Sequence, residues 1–527
     1  MPWFLKKRDW VTLLVLLIGY LFVLTQVPTT PRYNLRTCGI ENPLLYLGRV
    51  DYFAELEKRT NHRLHPAADN GFRDVLAACG PRILEQNAMM DLVPWTHLAV
   101  HPQSERWYHS FWRPLCEKLE IDPAPRPKYL DSLSYVGYEN IRLILDAEKQ
   151  KALLLSHFPP DPSQPPGELP DYFRKEYRDS FDELKKIPLD LNERPEIAAW
   201  LAQYDPVLDL FNASVRKPNY FSPRMRPSDD DGLWCILLPD VQAQRDFARS
   251  LQIRINVRIF HGDIDGAWHD AMSMYLLSRK HFQHEPFLVS QFVGLAIEGM
   301  GSESLRMILQ HGEPTKEQLA KIAADLDSLP PLEGCFNELK LVSSLISHEA
   351  LKQQRIVQDI VFYGSSTPVL PSPDESLLNV LPLDQNIAGE RLTQLFEQSG
   401  ILELVEEEYH PPGREERERL NEKIDRNMQF IIDHQSSIDS NDPRSYMKLL
   451  TIQSRSRFAA ERVFRDHVSA FKVSIAAFDK AALNLDTSRI SVAEKRYELQ
   501  HGKEPASLEE LVPEFLPEVP KGHFFGE

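Results

Sequence analysis

The sequence predicts an all-α protein: an N-terminal single transmembrane helix, then a multi-helix soluble region with helical-hairpin packing and a long C-terminal helix. Three observations carry this prediction. Val11 to Val27 is a charge-free apolar run closed by Pro28. Most later segments repeat apolar residues at three- and four-residue spacing. Period-two alternation is confined to Leu251–Ile259, where a helical stripe (Phe247, Leu251, Ile255, Ile259) competes with it.

As a helix rising about 1.5 Å per residue, the apolar run covers roughly 25 Å, slightly less than a hydrocarbon core of about 30 Å. Trp3, Trp10 and Tyr33 are placed to sit at the interfaces. A cleaved signal peptide is the alternative, but Thr-Gln-Val-Pro-Thr-Thr is a poor substitute for a small-x-small cleavage site. Lys6, Lys7 and Arg8 precede the run and Arg32 and Arg36 follow it. That balance favours a cytoplasmic N-terminus, with the soluble region delivered across an inner membrane to a periplasm. The formal charge of −17 is spread along the chain. It argues against nucleic acid or an anionic lipid surface as a partner, because both require basic patches.

Five cysteines, Cys38, Cys79, Cys116, Cys235 and Cys335, contain no CxxC pair, which excludes a zinc knuckle or thioredoxin-like motif. The odd number leaves at least one thiol unpaired. Free, buried thiols are expected, with a Cys79–Cys116 bridge as the alternative. Leu35-Arg36-Thr37-Cys38 carries charge where a lipobox needs small apolar residues.

Two proline-rich stretches, His157–Pro170 and Tyr363–Pro373, punctuate the chain. They divide it into an anchor (1–30), an N-terminal helical region (31–156), a linker (157–170), a central helical-hairpin domain (171–362), a loop (363–385) and a C-terminal long-helix region (386–527). Pro66–Gly80 reads as a capped helix ended by glycine, and Tyr138–Leu155 as another. Pro195–Val215, Val241–Phe260 and Ile264–Phe282 follow, the last two joined tightly at His261-Gly-Asp263. Leu251, Ile255 and Ile259 should face Ala267, Ala271 and Tyr275, leaving Arg254 and Arg258 off the buried stripe. Pro286–Gln310, Lys316–Asp327, Asn337–Gln354, Ala388–Glu408, Glu415–His434 and Tyr446–Gln500 complete the helices. Glu415–Arg426 is a charge-dense face suited to solvent.

No stretch specifies catalysis, so no catalytic, cofactor-binding or metal residue is assigned and no cofactor is expected. His97 and His101 have ligand spacing on a helix, but Pro102 biases His101 away from helix, and the residues between them lack an acid. His281 and His284 lie near a helix end beside Arg279 and Lys280, where cations favour the helix dipole. His348-Glu349 lacks a second histidine. Ser214-Val-Arg-Lys217 is too short a match to S-x-x-K to carry weight. Gly299–Ser304 lacks the spacing of a nucleophile elbow, and neither a P-loop nor G-x-G-x-x-G occurs.

Leu238–Leu251, Gly262–Asp270 and Val293–Met300 resemble segments of a family of membrane-anchored planctomycete proteins of unknown role. Asp69-Asn70 with Ala77-Ala-Cys-Gly80, and Lys217-Pro-Asn-Tyr-Phe-Ser-Pro223, resemble that family too. Val492–Pro520 is similar to its C-terminal signature. It is also similar to the post-helix motif of type II secretion pseudopilins, in which Tyr-x4-Gly-x2-Pro leads into a short Leu-rich helix. There Gly502 would end the long helix, and Ser507 would cap a short one carrying Leu508, Leu511 and Val512. The resemblance implies location and fold and supplies no catalytic residue. The reading is a membrane-anchored, periplasm-facing, non-enzymatic scaffold with protein partners in the envelope. An envelope hydrolase or metalloenzyme, and a component of a secretion or pilus-like assembly, are the alternatives.

Overall fold

The fold is described from a computed structural model, covering residues 28–60, 64–80, 112–122, 188–225, 238–330, 345–351, 383–399, 414–436 and 448–519 apart from a few single positions, together with 14, 15, 17, 18 and 233. In chain order its helices are α1 (Leu35–Cys38), α2 (Tyr52–Thr60), α3 (Gly71–Cys79), α4 (Arg113–Lys118), α5 (Pro195–Val215), α6 (Pro239–Phe260), α7 (Ile264–His284), α8 (Leu288–His311), α9 (Lys316–Asp327), α10 (Gln385–Gln398), α11 (Arg414–Ser436) and α12 (Ile452–His501). Among the described residues, strand pairing is limited to a hairpin of β1 (Leu45–Tyr46) with β2 (Arg49–Val50) and an isolated bridge between Asn70 and Asn219. The class is all-α.

Among the described residues no helix is long and apolar enough to cross a membrane. Val11–Val27 lies largely outside those residues. Leu14, Val15, Leu17 and Ile18, which lie inside them, are helical and exposed. Tyr138–Leu155 and both proline-rich stretches also lie outside, as does most of Asn337–Gln354.

The chain forms two compact units, each discontinuous in sequence. One comprises Met1–Arg59, Asp229–Ile236 and Phe336–Ile475; the other comprises Thr60–Ser228, Leu237–Cys335 and Ala476–Glu527.

The second unit is built on α6, α7 and α8. Pro195 and Pro239 occupy the first turns of α5 and α6, where a missing N–H costs nothing. Gly262 turns the chain at φ 73°, and the Asp263 side chain accepts from Gly266 N to cap α7. Thr315 and Gln318 form a reciprocal capping box at the start of α9. The expected facing set of Leu251, Ile255, Ile259, Ala267, Ala271 and Tyr275 is buried throughout. Ile253 and Val257 are buried as well, so α6 has no solvent face along this stretch. Phe247 stacks on Phe211 of α5 with centroids 4.4 Å apart. Each such aliphatic or aromatic side chain contributes about 1.5–3 kcal/mol when withdrawn from water.

α3 starts later than the sequence suggests. Asn70 is its N-cap, its Oδ1 accepting from Phe72 N, and Ala67–Asp69 forms a separate 3₁₀ turn. Gly80 ends α3 at φ 66°. At the other end of this unit, Gly502 terminates α12 at φ 71°. Ser507 makes no side-chain capping bond. Glu510, inside the short helix, accepts instead from Ala506 N ahead of it at 3.2 Å and from the Tyr497 hydroxyl at 2.7 Å. Leu511, Phe515 and Leu516 then fold back on Ile490, Ala493 and Tyr497.

In the first unit, α10 packs on α1 so closely that a Cβ at Gly389 would run into the Thr37 carbonyl. Asp384 caps α10, accepting from the N–H groups of Asn386 and Ile387. The helix ends at Gln398, where Ser399 bonds back to Leu395 O; the expected continuation to Glu408 lies outside the described residues. Phe396 meets Phe464 of α12 edge-on at 5.1 Å, and Arg391 pairs with Glu461 at 2.7 Å. α11 buries Ile424 and Ile431 and exposes its charges where they are described.

Candidate functional site

Among the described residues, buried charge is concentrated in the interior of the second unit, where three groups stand out. In the first, Arg254 of α6 binds Asp270 of α7 through both Nε (2.8 Å) and Nη2 (2.7 Å), while its Nη1 reaches Asp209 of α5 at 2.8 Å. Asn212 Nδ2 donates to the same Asp270 at 2.6 Å, and Arg258 Nη1 lies 3.3 Å from it. Burial alone would depress the Arg254 guanidinium; the hydrogen bonds and charge of Asp270 and Asp209 override it and raise its pKa. This corrects the sequence reading, which puts Arg254 outside the core. The residue is 3% exposed.

The second group surrounds Arg224, whose Nη1 binds Asp240 at 2.8 Å and whose Nη2 binds Glu285. Burial pushes the Asp240 carboxyl up, with Arg224 opposing. His281 lies within the influence of Asp240 and Arg224, and neither of its ring nitrogens has a hydrogen-bond partner among the described residues. Burial takes it down to about 4. In the third group, Arg279 Nη2 binds Glu298 of α8 at 3.0 Å and Ser278 Oγ donates to Glu298 at 2.8 Å. Burial raises Glu298. Nearby, the Tyr275 hydroxyl meets Ser302 and Ser488, and burial lifts its phenol to about 12.

In each group a carboxylate is engaged by an arginine from another element. Such pairs add little net stability, because desolvation offsets their attraction, but losing one partner is costly.

Of the residues singled out by sequence, those that are described make structural contacts. His97 and His101 lie outside the described residues, as does the side chain of His284. Among the described residues no cluster of histidine, cysteine and carboxylate side chains could hold a metal. His348 Nε2 lies 3.1 Å from Thr393 Oγ1, and Glu349 accepts from Leu233 N at 2.6 Å. Lys217 Nζ binds Asp74 at 2.5 Å and Ala68 O at 2.7 Å, which occupies it as a base toward Ser214. Gly299–Ser304 is continuous helix within α8. Cys38 is buried, Cys79 and Cys116 are free and buried, and burial drives both Cys79 and Cys116 to about 12.

Two segments far apart in sequence are brought together. Gly71 N donates to Asn219 O at 2.8 Å and Asn219 N to Asp69 O at 3.0 Å. The buried Asn70 amide then holds both the N–H and the C=O of Phe221, at 3.0 and 2.8 Å. Asp69-Asn70 and Lys217–Pro223 thus form one joint, closed further by Gly71, where a Cβ would run into Ser214 O.

The first unit carries a shallow cleft with room for a water-sized guest, lined by Arg32, Tyr33, Cys38, Tyr52, His348 and Asn386 among others. Beside it, Thr29 donates from N (3.0 Å) and Oγ1 (2.6 Å) to Asp384 Oδ2. Burial works against the Asp384 charge, yet the bonds from Thr29, Ile387 and Asn386 hold its pKa below the ordinary value.

No family model, curated protein or solved structure matches the chain.

Proposed function

We propose that this chain is a membrane-anchored helical interaction module, held by Val11–Val27 with its N-terminus cytoplasmic and its soluble region in a periplasm. The observation that carries the reading is the exposure of Leu14, Val15, Leu17 and Ile18, all helical and between 47% and 62% exposed. Apolar surface left in water is unfavourable by about 25 cal/mol per Å². A bilayer is the environment that removes that cost from a charge-free helix. The buried charges support a scaffold over an enzyme, since Asp240, Asp270, Glu285 and Glu298 each bind an arginine that spends their charge on helix register. Membership in the planctomycete family is part of the same proposal; two of the segments that carry that resemblance meet at the Asn70 joint.

Carbonate extraction followed by N-terminal sequencing tests the anchor. The protein should stay in the membrane pellet with its N-terminus intact, and a soluble product beginning near residue 28 would refute it. Photo-crosslinkers in place of the exposed Phe260 and Leu499 test the scaffold role. Discrete adducts in intact cells are expected, and an adduct-free protein counts against it. A role in a secretion or pilus-like assembly is the second reading. It draws on the C-terminal turn, where Tyr497 packs on Phe515 at 5.7 Å after the Gly502 break.

A further inference from the structure

We propose that Thr29–Cys38, together with Leu44 and Leu45, form a rigid collar that seats the first unit directly on the bilayer interface, with Leu35, Leu44 and Leu45 entering the headgroup layer. The proposal rests on the anchor reading above and goes beyond it. A tether alone leaves the soluble part free to swing; the geometry around Asp384 does not.

The argument begins with reach. Only Pro28 separates the end of the apolar run at Val27 from Thr29, and two residues span at most about 7 Å. Thr29 is held by Asp384 through both its N–H and its hydroxyl. The amide of Asn386 adds bonds to Thr29 Oγ1 at 2.8 Å and Thr30 O at 2.9 Å, and its Oδ1 accepts from Arg32 N at 2.7 Å. Farther on, Thr393 Oγ1 donates to Arg36 O at 2.9 Å, and Gly389 admits the Thr37 carbonyl against α10. The first residues after the span are therefore fastened to α10 at several points, and the capped end of α10 must lie within a few ångströms of where the chain leaves the hydrocarbon.

What this segment displays fits that position. Leu35, Leu44 and Leu45 are 54%, 45% and 54% exposed, while Arg32 and Arg36 are exposed beside Leu35. Apolar side chains with guanidinium groups nearby suit the boundary between acyl chains and lipid phosphates. The occupant is lipid, because the short tether to the span puts these leucines at the bilayer surface.

The test uses the full chain reconstituted in phosphatidylcholine vesicles containing a lipid-borne quencher. An environment-sensitive fluorescent amino acid replaces Leu17, Leu35 or Leu45, one at a time. The collar predicts blue-shifted emission, quenched severalfold, at all three positions. Lipid-like emission at Leu17 with water-like emission at Leu35 and Leu45 overturns the collar and leaves the anchor standing. Water-like emission at all three overturns both. Blue-shifted emission at Leu35 that the lipid quencher does not touch would put protein there and also overturn the collar. Combining Thr29→Val with Asn386→Ala should reduce quenching at Leu35 and spare Leu17; unchanged quenching at both would show that the clamp does not seat the unit.

Discussion

Arg254→Ala separates the structure from the sequence pattern most sharply. By spacing alone Arg254 lies off the apolar stripe, and alanine there should change stability by no more than about 0.5 kcal/mol. The structure demands far more. The substitution removes the bonds of 2.8 and 2.7 Å to Asp270 and leaves that carboxylate at 0% exposure. Removing one partner of a buried pair costs about 3–5 kcal/mol. Arg258 at 3.3 Å and Asn212 at 2.6 Å still face Asp270, which places the loss near the lower end, about 3 kcal/mol, or roughly a hundredfold in the local opening equilibrium. A chain of two units need not unfold in one step, so the reading should be local. Hydrogen exchange followed by mass spectrometry on peptides from 239–284 of the full chain supplies it. Arg254→Met combined with Asp270→Leu should recover most of the loss, because no orphan charge remains. A change at Arg254→Ala no larger than that of Lys321→Ala, whose pair with Asp265 is exposed at both ends, would refute the buried network.

Gly71→Ala and Gly389→Ala should each destabilise their unit, because the added methyl meets backbone at Ser214 and Thr37; melts of the two variants check this. His281 is held neutral, its folded pKa of about 4 lying below its ordinary 6.5. The unfolded chain therefore binds more protons, and stability should fall as pH drops from about 6.5 toward 4. Asp240, raised by burial, acts in the opposite sense, so the contribution of His281 is read as the difference between wild type and His281→Gln across that window. Ile255→Ala should cost about 2–5 kcal/mol, and Val257→Ala should also register clearly because both side chains are buried; denaturant melts decide it. Maleimide should leave Cys79 and Cys116 unlabelled in the native protein at pH 8 and label both once it is unfolded, as peptide mapping would show.

The helices and their joints were legible because their signals are local. Pro195–Val215 and Lys316–Asp327 emerge with the bounds their proline, caps and spacing suggest, and Gly262-Asp263 turns the chain as expected. Leu251–Ile259 looked ambiguous for a reason the structure supplies. A helix buried on every side keeps apolar residues at Ile253 and Val257 as well as on its main stripe, so period two and period four coexist. The buried charge groups were not legible. Arg254 and Asp270, or Arg224 and Glu285, are ordinary charged residues until separate elements bring them together. Nor was the Asn70 joint, although a short polar residue before Gly71-Phe72 was a capping signal that could have moved the start of α3. Ser507 misled because it holds the N-cap position of the short helix without making a side-chain capping bond.

Glu298 has a bearing on how such a chain is made. α8 runs for 24 residues, long enough to cross a bilayer, and its interior surroundings call for apolar side chains. With leucine at position 298, Phe287 to Ser302 would carry no charge at all, and an export channel screening the nascent chain would meet a second candidate for lateral release into lipid. A carboxylate at that point raises the cost of release by about 2.5–3.5 kcal/mol. Within the finished fold Arg279 pairs with the same carboxylate and Ser278 donates to it. On the export route proposed above, the pair would let a largely apolar helix travel as a more hydrophilic one, and Glu298→Leu should shift some of the chain from passing through the membrane to stopping in it.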